Sequence, residues 1–342
     1  MINKHYLLFI LFCITAATAS AQSVDVHFNG LGYLDNREYK EFVPRSRTYS
    51  GTRVALDFGL NLDSVNRFVV GVNGLREFGA KPFFGKIDPV FYYEHHSTNW
   101  QFNAGAFPRE NLVSDFPRAL MNDTLRYFRP NVEGLLARYK NEHFTETFFI
   151  DWLSRQTMTD REQFIFGASG KYTPKLEGSF YVKHYFFLLH DAGAEVLLPT
   201  DHINDNGGAQ IRLGMDFSRK QTIFDSLTVE AGGMMSLERS RGFDGFRTPK
   251  GIVASVYLNY HRFALYDEFY KGEGHNIVYG DSYFSKKTYN RVDIMYTPLL
   301  FKNIKGQFIF SFHQTPEGTS SSQQAFRVTF DLGRKVIARF KE

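Results

Sequence analysis

The sequence predicts an all-β protein, a single transmembrane antiparallel β-barrel, and three observations predict it. Window after window alternates apolar and polar residues, the composition favours strands, and the connectors switch between short and long. In 52–62, Val54, Leu56, Phe58, Leu60 and Leu62 share one face while Arg53, Asp57 and Asn61 share the other. The same pattern sets Ile211, Leu213, Met215 and Phe217 against Gln210, Arg212 and Asp216, and Leu227, Val229, Ala231 and Met235 against Thr228, Glu230, Ser236 and Glu238. Near the C-terminus Phe308, Phe310 and Phe312 oppose Gln307, Ser311 and His313, and Phe326, Val328 and Phe330 oppose Arg327, Thr329 and Asp331. Such strands bury one face in something apolar and wet the other. The 36 Phe and 19 Tyr, against 2 Trp and 11 Pro, are a strand-forming composition. Beyond Ala21 no apolar run approaches the roughly 18 residues of a membrane-spanning helix. Mean hydropathy is −0.31, as expected where each strand meets lipid on one side and water on the other.

Taken in order, the chain opens with Lys4 and His5, an apolar run from Tyr6 to Ile14, and the sequence Ala19, Ser20, Ala21. This is the pattern of a cleavable secretory signal peptide over 1–21, leaving 22–342 as the barrel domain. The one cysteine, Cys13, lies in the removed segment, so the mature chain forms no disulfide. Loss of Lys4 takes the formal net charge from +4 to +3, too slight an excess to argue for nucleic acid.

Strands are expected near 23–33, 49–61, 66–78, 86–96, 99–109, 129–140, 143–153, 162–173, 176–190, 207–217, 226–238, 250–261, 263–271, 288–297, 305–314 and 323–332. The count is about sixteen, with fourteen or twelve as alternatives; bacterial barrels of one chain have an even number. Short connectors, such as Ser97–Thr98 and Asn141–Glu142, read as periplasmic turns. Long ones at 34–48, 79–85, 110–128, 154–161, 191–206, 239–249, 272–287 and 315–322 read as extracellular loops, which puts both chain ends on the periplasmic side. Tyr172, Phe180, Tyr257, Tyr260, Tyr289 and Tyr296 suit interfacial aromatic girdles. Two segments fit poorly. In 143–153, Glu146 shares a face with Phe148, Ile150 and Trp152, which asks for a bulge or a rim position; 180–189 is apolar on both faces apart from Lys183 and His184.

This arrangement resembles bacterial general porins and related outer-membrane barrels across residues 22–342. The resemblance implies the outer membrane of a Gram-negative bacterium, contact with outer-membrane lipid, a homo-oligomer, and passive diffusion of small hydrophilic solutes. It also implies that the loop after the fifth strand, 110–128, folds inward as a constriction. The candidate pore-lining residues are then Glu110, Asp115 and Asp123 with Arg109, Arg118, Arg126 and Arg129, facing wall residues Arg53, Arg67, Arg212, Arg291 and Arg327. Asp57, Asp88, Glu94, Asp216, Glu230, Asp293 and Asp331 nearly balance these cations, and the plainer reading is that they pair across strands and stabilise the wall.

The competing classes are an outer-membrane barrel enzyme, hydrolytic or lipid-modifying, and a non-conducting accessory of secretion or surface attachment. His190 with Asp191 and Asp201 with His202 are the residues such an enzyme would draw on, yet neighbours on a strand point to opposite faces. No Gly-x-Ser-x-Gly elbow is present, so no catalytic set is assigned. Asp201–Gly207 only partly matches a calcium loop, and His95 and His96 cannot both face one ion, so neither a metal nor a cofactor is expected. The expectation is a channel rather than an enzyme.

Overall fold

In the computed structural model the described residues are 22–40, 44–175, 179–196, 202–218, 223–242, 245–316, 318 and 320–340. The expected signal peptide and Asp201 lie outside them. The strands are β1 (Ser23–Glu38), β2 (Arg47–Asn61), β3 (Asn66–Glu77), β4 (Lys86–His96), β5 (Trp100–Pro108), β6 (Asn131–Lys140), β7 (Phe144–Ser154), β8 (Gln163–Tyr172) and β9 (Phe180–Asp191). They continue as β10 (Asn204–Asp216), β11 (Ser226–Ser240), β12 (Lys250–Tyr260), β13 (Phe263–Gly272), β14 (Thr288–Phe301), β15 (Ile304–Gln314), β16 (Ser320–Asp331) and β17 (Lys335–Arg339).

From β1 to β16 each strand pairs antiparallel with its sequence neighbour, and β1 closes the ring on β16, from Asn29 opposite Asp331 to Glu38 opposite Ser322. β17 prolongs β16 along the same edge of β1, pairing Val26 with Lys335 and Ser23 with Arg339. The two segments are one membrane strand broken by a bulge at Leu332–Arg334, where Gly333 takes a positive φ of 68° that favours glycine. The molecule is thus a closed sixteen-stranded antiparallel barrel. Closure leaves the sheet no free edge, so wall N–H and C=O groups pair between neighbouring strands, as a bilayer demands.

Alternation places side chains as expected. Leu56, Phe58, Val70, Val72, Ile211, Leu213, Met215, Phe308, Phe310 and Phe312 face outward and stay exposed to the surroundings of the barrel, while Arg53, Asp57, Arg212 and Asp293 are buried inside. Glu146 takes the rim solution: it lies on the outer face near the short-turn end, 3.1 Å from His184 Nε2. The irregularity in β7 sits elsewhere, between Trp152 and Ser154.

Candidate functional site

The long-loop half of the lumen is filled by two loops. Residues 109–130, between β5 and β6, turn inward through the bonds Val113 N to Arg109 O (3.0 Å) and Met121 N to Pro117 O (2.9 Å) and end in a helical turn at Leu125–Phe128. They bury Val113, Phe116, Ala119, Leu120, Met121, Leu125 and Tyr127. Residues 273–287, between β13 and β14, carry a short 3-10 turn at Ser282–Ser285 and bury Ile277, Tyr283 and Phe284. The loops bind each other: Asn122 N donates to Tyr279 O (2.7 Å) and Asp281 N to Arg118 O (2.8 Å). A Cβ at Gly280 would stand 2.3 Å from the Ala119 carbonyl oxygen, so only glycine permits this approach.

This plug explains why 180–189 is apolar on both faces. Phe186 points outward, while Tyr185, Phe187 and Leu189 point in and join one core with Phe116, Leu120 and Ile277. The Phe116 ring lies 5.7 Å from both the Phe149 and Tyr185 rings. On the far wall Tyr127 stacks on Tyr33 at 4.2 Å, and Tyr283 stacks on Tyr289 at 5.0 Å.

Beside that core runs a buried belt of paired charges. Arg118 bridges Asp293 (3.0 Å) and Asp123 (3.4 Å); Arg291 donates to Asp293 (2.8 Å) and Ser311 (3.1 Å). Arg327 donates to Asp123 (3.1 Å) and to the Tyr127 hydroxyl (2.9 Å), which in turn donates to Asp35 (3.2 Å). Asp35 also accepts from Gln323 (2.7 Å) and Arg37 (2.8 Å). Burial raises the cost of charging Asp123, but Arg118 and Arg327 outweigh it and hold the carboxyl well below the usual carboxylate range. At Asp281 burial prevails and pushes the carboxyl up despite Arg291.

Of the twelve residues proposed as pore-lining, Arg118, Asp123, Arg291 and Arg327 therefore meet in one network. Arg53 reaches Asn73 (2.8 Å), Asp88 (3.1 Å) and the Tyr127 carbonyl. Arg67 pairs with Glu94 (2.6 Å), Arg126 with Glu110 (3.1 Å), and Arg212 with Glu268 (3.0 Å) and Glu230 (3.4 Å). Arg109 pairs with Asp151, Arg129 donates to Leu153 O (3.5 Å), and Asp115 stays exposed on the loop. Below the plug, toward the short-turn end, a cavity of about 620 Å³ remains, lined among others by His27, Asp57, Glu94, Gln307 and Arg334.

Two imidazoles near the long-loop rim have partners of the kind hydrolysis uses. Inside, His275 Nδ1 lies 2.8 Å from Ser236 Oγ, which donates to Glu238 (2.9 Å); Ser236 and His275 are 0% and 2% exposed. Burial holds His275 below its ordinary pKa, and Glu238 contacts Ser236 rather than the ring, so this set ties loop 273–287 to β11. Outside, His190 Nδ1 lies 3.3 Å from Asp205, whose carboxylate also accepts from Arg241 Nε (2.7 Å). The His190 ring sits 5.1 Å from Phe164, beside Trp152 on the outer face. As the alternation of strand neighbours requires, Asp191 is not the partner of His190: it pairs with Arg161 (2.8 Å), and the partner of His190 comes across the sheet from β10. Among the described residues no three His, Cys, Asp or Glu side chains group as a metal site.

The fold and plug define a class: an outer-membrane type β-barrel with a packed outer lumen. Residues 16–333 match the family described as Lipid A 3'-O-deacylase-type, and the chain belongs to that family. No curated protein matches. Solved structures share the fold: the outer membrane protein OpdK of Pseudomonas aeruginosa (9% identity, TM-score 0.54, covering 92% of this chain and 100% of that one), OpdL of the same organism (11%, 0.57, 92% and 99%), and a loop-deletion mutant of OmpT of Vibrio cholerae (10%, 0.58, 90% and 99%). At such identities the likeness is to the porin architecture alone. The family match overturns the expected passive channel for small solutes, and with it the porin and transport reading and the expectation that the chain is not an enzyme. The error has a physical source: period-two alternation puts polar residues in the lumen whatever a barrel does.

Proposed function

We propose that this protein is an outer-membrane hydrolase that removes an ester-linked acyl chain from lipid A. The observation that carries the reading is the family match over residues 16–333. Water attacks the ester carbonyl, the bond from acyl carbon to sugar oxygen breaks, and a free fatty acid and a sugar hydroxyl leave. Such chemistry needs a base to take the proton of water and return it to the departing oxygen. His190 is the imidazole we assign to this task. Asp205 orients its Nδ1, its side chain is 25% exposed, and it stands on the lipid-facing wall, whereas His275 is sealed under the plug. Arg241, on the same carboxylate, supplies positive charge for the oxyanion. Residues 1–21 serve in this reading as the export signal.

The test is mass spectrometry of lipid A from a Gram-negative host with and without the full-length protein. The expected result is a species lighter by one ester-linked acyl chain, lost with His190→Gln. Unchanged lipid A, with the folded protein present in the outer membrane, would overturn the proposal.

A further inference from the structure

We propose that Arg161 is a positioning residue for the His190–Asp205 pair: it fastens the ends of β9 and β10 together where their ladder stops, and so sets the distance across which Asp205 orients the imidazole. The inference rests on the hydrolase reading and adds what holds its base in place. His190 and Asp205 stand on different strands, so their meeting depends on how those strands are held at that level. They are the last but one pair of the ladder, and Asp191 opposite Asn204 is the last. Such ends open more readily than the middle of a sheet. The contact between His190 Nδ1 and the Asp205 carboxylate, 3.3 Å, is already long for a hydrogen bond, so a small parting of the strands would lose it.

Arg161, two residues before β8, reaches over this end. Its Nε donates to the Asp191 carboxylate (2.8 Å), on the residue next to His190, and its Nη2 donates to the backbone carbonyl of His202, two residues before β10. One guanidinium thus bridges the end of β9 and the approach to β10. A planar fork with donors in fixed directions can hold both at once, which a flexible ammonium cannot.

The far side of the bridge passes the constraint on. His202 Nδ1 lies 3.1 Å from the Arg241 carbonyl oxygen, which can only accept, so that nitrogen carries the proton; Arg241 N donates to Ile203 O (2.8 Å). The Arg241 guanidinium in turn holds both carboxylate oxygens of Asp205, at 2.7 and 3.0 Å. A continuous run of bonds therefore leads from Asp191, beside the base, through Arg161, His202 and Arg241 to Asp205, the group that orients it. Cutting the run at Arg161 frees Asp205 to move relative to His190 while leaving both side chains of the pair intact.

The experiment is a double-variant cycle on the full-length protein in detergent micelles, with lipid A as substrate and released fatty acid as the readout. R161Q should lower kcat by at least about tenfold and leave KM within about twofold, because a misplaced catalytic group slows the chemical step without touching substrate contacts. D205N should cost at least as much, and R161Q/D205N no more than D205N alone, since both act through one carboxylate. R161K, which keeps the charge and loses the fork, should restore only part of the rate. Heat-modifiable gel migration checks that each variant folds. Histidine-selective 15N spectra, with H190Q to assign the signal, read the Nδ1 bond of His190 without turnover, and the signal should be displaced alike in R161Q and D205N. An unchanged kcat in R161Q, additive losses in the double variant, or an unmoved His190 signal in R161Q overturns the positioning role. A displaced signal in a protein that releases no fatty acid would sink the hydrolase reading alone; release that R161Q leaves unchanged would sink the positioning role alone.

Discussion

The two halves of the lumen are built on the same strands yet follow different rules. In the long-loop half the inward residues are Tyr185, Phe187, Leu189, Tyr270 and Tyr289, and they pack against loops 109–130 and 273–287. In the short-turn half they are Asp57, Arg67, Glu94 and Arg334, and they surround a cavity of about 620 Å³. The inner face of a strand therefore changes character partway along, from water-facing to core-facing, where a loop covers it. Ion pairs differ in the same sense: Arg291 and Asp293 are 5% and 0% exposed, whereas the carboxylate of Asp331 beside His27 is 61% exposed.

The strongest way to break this contrast is to remove the cover. The plugged barrel is expected to be silent in planar bilayers, and deleting residues 113–124, which takes away Val113, Phe116, Ala119, Leu120 and Met121, should give stable conductance steps; silence of the deletion variant as well would show that loop 273–287 closes the lumen alone. A smaller effect is expected from Arg291→Leu, which leaves Asp293 and Asp281 buried against one fewer cation. Losing one partner of a buried pair costs about 3–5 kcal/mol, measurable as a lower temperature of the heat-modifiable gel shift. Smallest should be Arg334→Gln in the wetter half. Arg334 contacts Asp25 (2.9 Å) and Asp57 (2.8 Å), but its side chain is 22% exposed and borders the cavity, where water can take its place beside the carboxylates, so a smaller shift than for Arg291→Leu is expected in the same assay. A larger loss for Arg334→Gln than for Arg291→Leu would reverse the comparison.

Most of the wall was legible in the sequence because alternation is a local signal: strands expected at 66–78 and 86–96 appear as Asn66–Glu77 and Lys86–His96. β17 was missed because Gly333 reads as a stop, although a bulge lets the strand continue. The inward course of 110–128 was anticipated, but the second plug loop was not, and its trace was in plain view: Phe187 and Leu189 on one face and Phe186 and Leu188 on the other leave no wet side for the lumen. The pairing of His190 with Asp205 was out of reach, since it depends on the β9–β10 register. The enzymatic class stood in the sequence only as the competing reading, an outer-membrane barrel enzyme, hydrolytic or lipid-modifying, and the family match favours it over the channel; the wall could not decide, because a filled lumen and an open one share the same alternation.

The bulge at Leu332–Arg334 has a bearing on assembly. It turns the Arg334 side chain inward to Asp25 across 309 positions of sequence, while His27 meets Asp331 (2.8 Å) across 304. Contacts so distant along the chain form late, since the intervening loop must first be closed. These charges sit where the first strand meets the last, so they act as a buckle: they add attraction at the one seam whose pairing the local hairpins cannot template, and they favour a ring over an open, edge-exposed sheet.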